Sequence, residues 1–468
     1  MRRLFAISTF LFFYSISSFS QGYRIELKVD GLKDTTIQLG FYFGEKTLLA
    51  DTAPVNSNGV AVFKGDTLLD RGMYFVVLPG NYFELLLGDN QQFSIKTSLE
   101  KVNEDIAFTK SPENAEFAQY RRFMGERQQR MGELQKQAQE QRETGDVDQN
   151  LLDEIRKLDA EVKTKGDEVI SKYPNSLLAS IIKSLRPVEF SDFNIPDNAP
   201  NADSLRWINS IRYNQKHYFD NINFAEAGLV RTPFFQGRID NYFDRVLIPA
   251  PDTVILYADQ VIERSRSNPL MFRFILNHLF TKFSNSAIMG LDAVFVHLAE
   301  KYYLTGQADW INEESRTKIA NRVADLKPNL IGSKAPNITL RDMKGVAREL
   351  HKIKADVLVV YFWEPGCSHC KKVTPELNEV YKKYKSKGME VFAVYTQDDM
   401  EKWKGYIETN SLGWINVWDP ARASRYHKLY DIYSTPVIYV LDKDKKIVAK
   451  RIGVESLERF IEQEILKK

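Results

Sequence analysis

The apolar run from Val357 to Phe362 stands just before the chain's two cysteines, Cys367 and Cys370. A near-continuous apolar run of this kind is typical of a strand that is buried on both faces. Downstream of it, segments that favour strands alternate with segments that favour helices. These patterns predict an α/β domain with a mostly parallel central sheet.

The predicted elements of this domain continue to the end of the chain. Segment 327–336, which contains two prolines, is interpreted as the linker before it, so we expect the domain to span residues 328–468. The patterns predict strands at 357–362, 389–395, 414–418, 437–441 and 446–450, and helices at 375–385, 400–408, 422–430 and 456–466.

The first part of the chain has a different pattern, in which apolar and polar residues alternate from Tyr23 onward. A period of two indicates half-buried strands. Further strands are predicted at 36–43, 60–63, 73–78, 82–87 and 93–95, with turn signals such as Asn58-Gly59 between them. We expect an antiparallel β sandwich or barrel over residues 21–110.

Residues 111–327 favour helices. Segments 113–143 and 147–173 are polar helices joined at Gly145-Asp146, and we interpret them as an antiparallel hairpin. The aromatic-rich stretch 213–224 either lines a ligand groove or packs between helices, and packing is the more common arrangement. His278 and His297 lack partners at metal-ligand spacing and are interpreted as structural.

The N-terminus has the layout of a signal peptide. Two arginines follow Met1, an apolar run covers 4–16, and small residues precede Gln21. The alternative is a membrane anchor, but the run is shorter than the ~20 residues that span a bilayer. We expect cleavage after Ser20 and an exported, periplasmic protein without a membrane span.

The charge balance and the cysteine count exclude some classes of function. The 468 residues carry 64 Lys plus Arg against 62 Asp plus Glu, a balance that argues against an extended nucleic-acid-binding surface. Only two cysteines exist, so a framework of structural disulfides is excluded. Exported proteins often use disulfides for stability, whereas this chain has both cysteines in one place.

The spacing of Cys367 and Cys370 predicts a redox-active pair. At the first turn of a helix, Cys367 would face unpaired N–H groups and the positive end of the helix dipole, which lowers a thiol pKa. Cys370, one turn on, would attack a mixed disulfide formed at Cys367. His369, when protonated, adds positive charge near the thiolate. The pair itself would carry the electrons, with no further cofactor.

Other uses of the two cysteines remain open. Half of a zinc site would require dimerisation, because no second ligand pair is present, and a static disulfide would close too short a loop to stabilise much. A non-catalytic module that binds Cu(I) or docks a protein is the alternative function, since thiolates suit Cu(I). A scaffold with a vestigial redox site is the third.

Segment 360–372, which reads VYFWEPGCSHCKK, resembles the active-site segment of thioredoxin-fold proteins, especially the exported TlpA/ResA-like thiol:disulfide oxidoreductases. Pro375 matches the kink proline of their active-site helix, and Ser434-Thr435-Pro436 matches their cis-proline loop. The resemblance covers residues 328–468, with 398–419 as the family's central insertion and 332–340 as its usual start.

The resemblance implies roles for particular residues. Cys367 and Cys370 would be catalytic, Thr435 would contact the substrate, and Pro436 would be the cis-proline. Trp363, Glu364 and His369 would support the site. Thioredoxin has a buried Asp where this chain has Tyr361, so the proton acceptor is unassigned. Glu364 either tunes the thiol pKa or is a solvated loop carboxylate.

The rest of the chain resembles, more loosely, uncharacterised regions that precede such modules in exported Gram-negative proteins. Asp51-Thr52 and 59–63 fit the β-rich region, and 212–224 with Arg231-Thr232-Pro233 fit the helical one. The implied function is thiol–disulfide exchange with exported clients, more as reductant than oxidant. A membrane electron donor or thiol partner would recharge the pair and so maintain redox homeostasis.

Overall fold

The computed structural model describes residues 22–466, except for 147, 191–192 and 197–198. The predicted signal peptide, residues 1–20, lies outside the described residues. The chain divides into two compact units, Met1–Tyr242 and Phe243–Lys468. This division falls inside the segment 111–327 that the sequence predicts as one helical domain.

The first unit begins with two four-stranded sheets, whose inward-facing side chains form one apolar core. The strand orders are β4-β1-β7-β8 and β3-β2-β5-β6. The predicted antiparallel arrangement has one exception, because β1 and β7 run parallel. The strands are β1 (Arg24–Asp30), β2 (Thr35–Phe43), β3 (Lys46–Val55), β4 (Val60–Lys64), β5 (Gly72–Leu78), β6 (Asn81–Leu87), β7 (Gln92–Ser98) and β8 (Ala107–Thr109).

Helices complete the first unit, and the two longest form the predicted hairpin. Arg130 forms an ion pair with Glu154 at 2.6 Å, and the buried Glu116 forms one with Lys172 at 2.7 Å. An earlier residue of the first helix thus pairs with a later residue of the second, which means that the two helices are antiparallel. The hydrogen bond from Lys172 also lowers the pKa of Glu116. The helices are α1 (Pro112–Thr144), α2 (Gln149–Lys172), α3 (Leu177–Leu185), α4 (Ala202–His217) and α5 (Phe235–Asn241).

The second unit starts with helices and ends with a seven-stranded sheet of order β10-β9-β13-β12-β11-β14-β15. Its elements are α6 (Pro251–Ser265), α7 (Pro269–Ser284), α8 (Asp292–Leu298), α9 (Glu313–Leu326), β9 (Thr339–Asp342), β10 (Ala347–Glu349), β11 (Val357–Trp363), α10 (Ser368–Tyr384), β12 (Met389–Tyr395), α11 (Met400–Thr409), β13 (Ile415–Trp418), α12 (Tyr426–Leu429), β14 (Val437–Leu441), β15 (Ile447–Lys450) and α13 (Val454–Leu466).

Short helical segments occur in both units. The 3₁₀ segments are Ala227–Arg231, Lys327–Asn329, Leu350–Lys352 and Lys385–Lys387, and the π-helical segments are Tyr242–Val246 and Ala299–Tyr303.

The sheet is mixed, so the prediction of a mostly parallel sheet is wrong. Only the pairings of β11 with β12 and of β12 with β13 are parallel. Helices α10 and α11 supply the crossovers that parallel neighbours need. At the edges, short turns join β9 to β10 and β14 to β15, and such turns can connect only antiparallel strands.

A second correction concerns the helix predicted over 422–430, of which only the turn Tyr426–Leu429 forms. Arg422 and Arg425 have left-handed backbone angles, with φ of 50° and 59°, and therefore interrupt a helix. The carboxylate of Asp419 accepts the N–H groups of Ala423 and Ser424 instead. Local turn hydrogen bonds thus replace the helical ones.

Strand β11 places the cysteines. All seven of its residues are buried, and it pairs with β12 on one edge and β14 on the other. The segment Glu364–Gly366 then leads directly from the end of the strand to the start of α10. The position of Cys367 is therefore fixed by the most enclosed strand of the unit.

The helices of the second unit contact the sheet through a buried lysine. Lys450, at the end of β15, is 4% exposed, and its ammonium donates to the Asp292 carboxylate and, at 2.6 Å, to the Asn329 carbonyl. Burial lowers the pKa of Lys450. Such a pair does not stabilise much overall, but loss of one partner leaves a buried charge.

None of the helices among the described residues is both long and apolar enough to cross a lipid bilayer.

Replacing Asp292 by Asn is expected to lower the free energy of unfolding by about 3 kcal/mol, because it leaves the Lys450 ammonium buried without a counter-charge. The loss should be smaller at pH 9 than at pH 7, since a Lys with a lowered native pKa gains stability as pH rises toward its unfolded value. Urea unfolding at both pH values measures it. Lys450→Met in the same background is the matched control, and it should recover most of the loss. A double variant no more stable than Asp292→Asn alone would contradict the ion-pair explanation.

Candidate active site

Cys367 is the N-cap residue of α10. Its backbone is extended, and its sulfur accepts the N–H of Cys370 at 3.2 Å. The sulfur therefore lies at the positive end of the helix, beside N–H groups that have no partner within the helix. The sequence places Cys367 at this helix start, as the structure does.

The environment of Cys367 favours its ionised form. Burial opposes ionisation, but the hydrogen bond from the Cys370 thiol and the backbone N–H groups of Cys370 and His369 outweigh it and lower the pKa of Cys367. The residue is partly exposed. A partner sulfur can therefore reach a thiol that is readily converted to thiolate.

Cys370 lies one turn further along α10, in the opposite environment. It is 1% exposed and packs in the apolar core of the unit. Burial, followed by its hydrogen bond to Cys367, raises the pKa of the Cys370 thiol to about 12. One cysteine is thus a ready nucleophile, while the other is a shielded thiol in contact with it.

A loop opposite α10 completes the site. We use the term cis-proline loop for residues 431–436, because the peptide bond between Thr435 and Pro436 is cis, as the resemblance implies. The Cys367 thiol donates to the Thr435 carbonyl at 3.3 Å. The loop thus lies directly against the accessible sulfur.

Glu364 connects the end of β11 with the same loop. Its carboxylate Oε1 accepts the Thr435 hydroxyl at 3.0 Å, and its backbone contacts the Cys370 thiol. The carboxylate is therefore not simply solvated. It is hydrogen-bonded to Thr435, the residue whose carbonyl accepts the Cys367 thiol.

Two of the other supporting residues lie in different surroundings. Trp363 is fully buried and packs with Tyr361, Tyr395 and Tyr406, at ring-centroid distances of 6.1, 6.2 and 5.3 Å. His369 is exposed on the first turn of α10. Trp363 thus belongs to the apolar core against which both cysteines pack, whereas His369 lies on the protein surface.

Tyr361 occupies the position of the buried acid of thioredoxin and binds Thr374, with 2.8 Å between the two hydroxyl oxygens. Burial raises the pKa of Tyr361, so its hydroxyl stays protonated at neutral pH. The position therefore supplies no base for Cys370. Thr374 was not predicted from the sequence, although it lies four residues after Cys370 and hence on the same helix face.

The histidines interpreted as structural make ordinary side-chain contacts. His297 Nε2 lies 2.9 Å from the Asp259 carboxylate, which also accepts Lys301 and Tyr302. His278 stacks on Phe274. Within the described ranges, no group of three or more His, Cys, Asp or Glu side chains is arranged to hold a metal ion.

The aromatic-rich stretch divides between the two predicted roles. Tyr218, Phe219 and Phe224 are buried, as expected for packing between helices. Tyr213 and His217, which stack 4.1 Å apart, instead line a cavity of about 1040 Å³ in the first unit. The later part of the stretch packs as predicted, while in the earlier part Tyr213 both lines the cavity and packs against Phe190 and Phe193, at ring-centroid distances of 6.1 and 5.9 Å.

Two family models match the chain. Residues 331–450 match the AhpC/TSA family, and residues 162–329 match a domain of unknown function, DUF5106. The first range contains both cysteines and the cis-proline loop.

Known proteins match the same C-terminal region. The chain is 32% identical to thiol-disulfide oxidoreductase ResA of Bacillus cereus over 137 residues, which are 29% of this chain and 78% of that protein. It is 28% identical to ResA of Geobacillus kaustophilus over 135 residues, 28% of this chain and 76% of that protein. A solved domain of a possible thiol-disulfide isomerase from Cytophaga hutchinsonii is 41% identical, covers 29% of this chain and 92% of its own, and has a TM-score of 0.28.

Iodoacetamide should modify Cys367 well before Cys370 in the folded protein, because Cys367 is accessible and has the lower pKa. Replacing Cys370 by Ala removes a hydrogen-bond donor to Cys367 and is expected to shift the midpoint of the rate–pH profile to higher pH. Cys370→Ser keeps a donor and serves as the matched control. Stopped reactions at several pH values, read by mass spectrometry, measure the rates. Equal midpoints in the Ala and Ser variants would rule out the thiol hydrogen bond as a cause.

Replacing Glu364 by Gln should lower the Cys367 midpoint in the same assay by about half a pH unit, the effect of one partly screened negative charge. The amide oxygen can still accept the Thr435 hydroxyl, so this variant removes charge alone. Glu364→Ala removes both and is the comparison. If the Gln variant titrates like the parent protein, Glu364 acts only as an acceptor for Thr435.

Proposed function

The chain belongs to the ResA-like thiol-disulfide oxidoreductases, and from this premise we propose that it is an exported reductant of disulfides in client proteins. The observation that carries the proposal is the asymmetry of the two thiols. Cys367 is accessible and has a lowered pKa, while Cys370 is buried and has a raised one. Thiol–disulfide exchange needs this combination of an attacking and a resolving sulfur.

In the first step, the Cys367 thiolate attacks one sulfur of a client disulfide. The client S–S bond breaks, a mixed disulfide forms between Cys367 and the client, and the departing client thiolate takes up a proton. The N–H groups at the start of α10 stabilise the thiolate before the attack. The Thr435 carbonyl, beside Cys367, lies where the backbone of a docked client can pair with the loop.

In the second step, Cys370 attacks the Cys367 sulfur and gives up its proton to solvent or to the second client sulfur as that sulfur leaves. The mixed disulfide breaks, the second client thiol is released, and the Cys367–Cys370 disulfide forms. The client gains two electrons and the pair loses two. A membrane electron donor or a thiol partner then supplies two electrons and two protons, which return the Cys367–Cys370 disulfide to the dithiol. The proposed reaction therefore uses the Cys367–Cys370 pair itself and needs no separate cofactor.

The proposed direction, reductant more than oxidant, is the one that the resemblance implies. Burial keeps the Cys370 thiol protonated at neutral pH, so Cys370 supplies no thiolate that would stabilise the reduced form of the pair. A pair that is stable when oxidised gives up electrons readily. The lowered pKa of Cys367 acts in the opposite sense, so we place the pair toward the reducing end and not at its limit.

The remaining segments have supporting roles in this proposal. Residues 1–20 direct export to the periplasm and are removed after Ser20. The β-rich segment 21–110 and the helical segment 111–327 recognise the client or orient it toward the catalytic segment 328–468.

The mature protein should catalyse the reduction of insulin by dithiothreitol. Cys367→Ala is expected to reduce the rate to the uncatalysed background, since no attacking sulfur remains. Reduced Cys370→Ala, freed of dithiothreitol and then mixed with insulin, should instead accumulate a mixed disulfide with insulin chains, because the resolving sulfur is missing. Later addition of dithiothreitol should release the chains. Non-reducing gels and mass spectrometry detect the adduct. Activity that survives in Cys367→Ala would contradict the proposal.

The potential of the pair tests direction, and equilibration with a dithiothreitol buffer followed by counting of free thiols measures it. A value near about −270 mV, as in thioredoxin, is expected for a reductant, whereas one near about −120 mV, as in DsbA, would indicate an oxidant. No reversible transition would favour the docking or Cu(I) alternative. Titration of the reduced protein with Cu(I) then separates these two.

A further inference from the structure

The start of the cis-proline loop is anchored by a buried carboxylate. Asp431 is 2% exposed and has a left-handed backbone with φ of 53°. A buried carboxylate is costly unless charged donors surround it. Its donors therefore decide how the loop is held, although they lie outside the loop.

Two arginines bind this carboxylate. Arg451, just after β15, donates to Asp431 Oδ2 at 2.6 Å and to the Asp431 carbonyl at 2.7 Å. Arg322 donates through both terminal nitrogens to the two carboxylate oxygens, at 2.5 and 3.2 Å. The two-pronged geometry of Arg322 fixes both the position and the orientation of the carboxylate.

Arg322 does not belong to the thioredoxin-like segment. It lies on α9, within the 162–329 match to the domain of unknown function, and outside the 331–450 match that contains the cysteines. The Arg322 side chain of the helical region thus binds the loop that contacts Cys367.

The same guanidinium also contacts an exposed aromatic ring. It lies 5.9 Å from the centroid of Tyr433, whose side chain is 77% exposed and precedes Thr435 by two residues. Cation–π contacts act at this distance. Tyrosine is a residue type that anchors protein interfaces, and this exposed one belongs to the loop whose Thr435 carbonyl contacts Cys367.

We propose that Arg322 is a positioning residue for client binding, which from α9 holds the cis-proline loop and the Tyr433 ring in the geometry that a client polypeptide meets as it docks over Cys367. The inference rests on the proposed function and assigns a task to the region before the catalytic segment. Arg322 acts through Asp431 and Tyr433 and does not touch the reacting sulfurs.

The test compares a protein substrate with a small one. In Arg322→Gln, the KM for insulin is expected to rise about fivefold to tenfold, as for loss of one interface anchor. The kcat/KM for hydroxyethyl disulfide should change by less than about twofold, and the Cys367 pKa by no more than a few tenths. Arg451 still binds Asp431 in this variant, so the contact between Thr435 and the Cys367 sulfur is expected to persist. Arg322→Lys should recover part of the insulin effect.

Matched variants keep the outcome interpretable. Arg316→Gln removes an arginine from the same helix that pairs with Glu313 at 3.2 Å, and it should leave both substrates unaffected. Tyr433→Ala changes an exposed side chain, so it tests the surface even if Arg322→Gln fails to fold. Tyr433→Ala should raise the KM for insulin. In the double variant Tyr433→Ala with Arg322→Gln, the fold increase in this KM should be smaller than the product of the fold increases in the two single variants.

Equal losses for insulin and hydroxyethyl disulfide in Arg322→Gln would overturn the inference, since they would mean a disturbed sulfur site. An unchanged KM for insulin in Tyr433→Ala, or in a folded Arg322→Gln, would overturn it as well. Failure of the proposed function looks different, because the parent protein itself would then reduce neither substrate.

Discussion

The enclosure of strand β11 is the constraint on which the site depends. Neighbouring strands pair with both of its edges, and helices and loops cover both of its faces, so its end cannot move without unpacking the unit. Cys367 follows that end after a three-residue segment. A reactive sulfur held on so rigid an element can be aligned with the cis-proline loop, which precedes β14, the strand paired with β11.

The local parts of this arrangement can be predicted from the sequence, because each is encoded in neighbouring residues. The apolar run predicts β11, the cysteine spacing predicts the start of α10, and the resemblance identifies Pro436 as the cis-proline. The central strands and the long hairpin likewise follow from periodicity. These features need no knowledge of distant partners.

Other parts depend on residues far apart in the chain or on turn geometry. Arg322 and Asp431 are 109 residues apart, and no periodic pattern marks either of them. The antiparallel edges of the sheet follow from short turns, for example the one at Asp342–Val346 in which Gly345 has a φ of 78°. The helix expected at 422–430 does not form in full because the Asp419 carboxylate accepts backbone N–H groups of this segment. Helix propensity does not account for such side-chain hydrogen bonds.

The contrast between the two cysteines also bears on oxidative damage. A peroxide reaches Cys367 first, because Cys370 is 1% exposed, and converts it to a sulfenic acid. Cys370 lies in hydrogen-bonding contact with that sulfur and can condense with it to form a disulfide before irreversible sulfinic acid accumulates. The product is the Cys367–Cys370 disulfide, so the contact between the accessible and the buried thiol turns an oxidised Cys367 into a reducible bond before irreversible damage occurs.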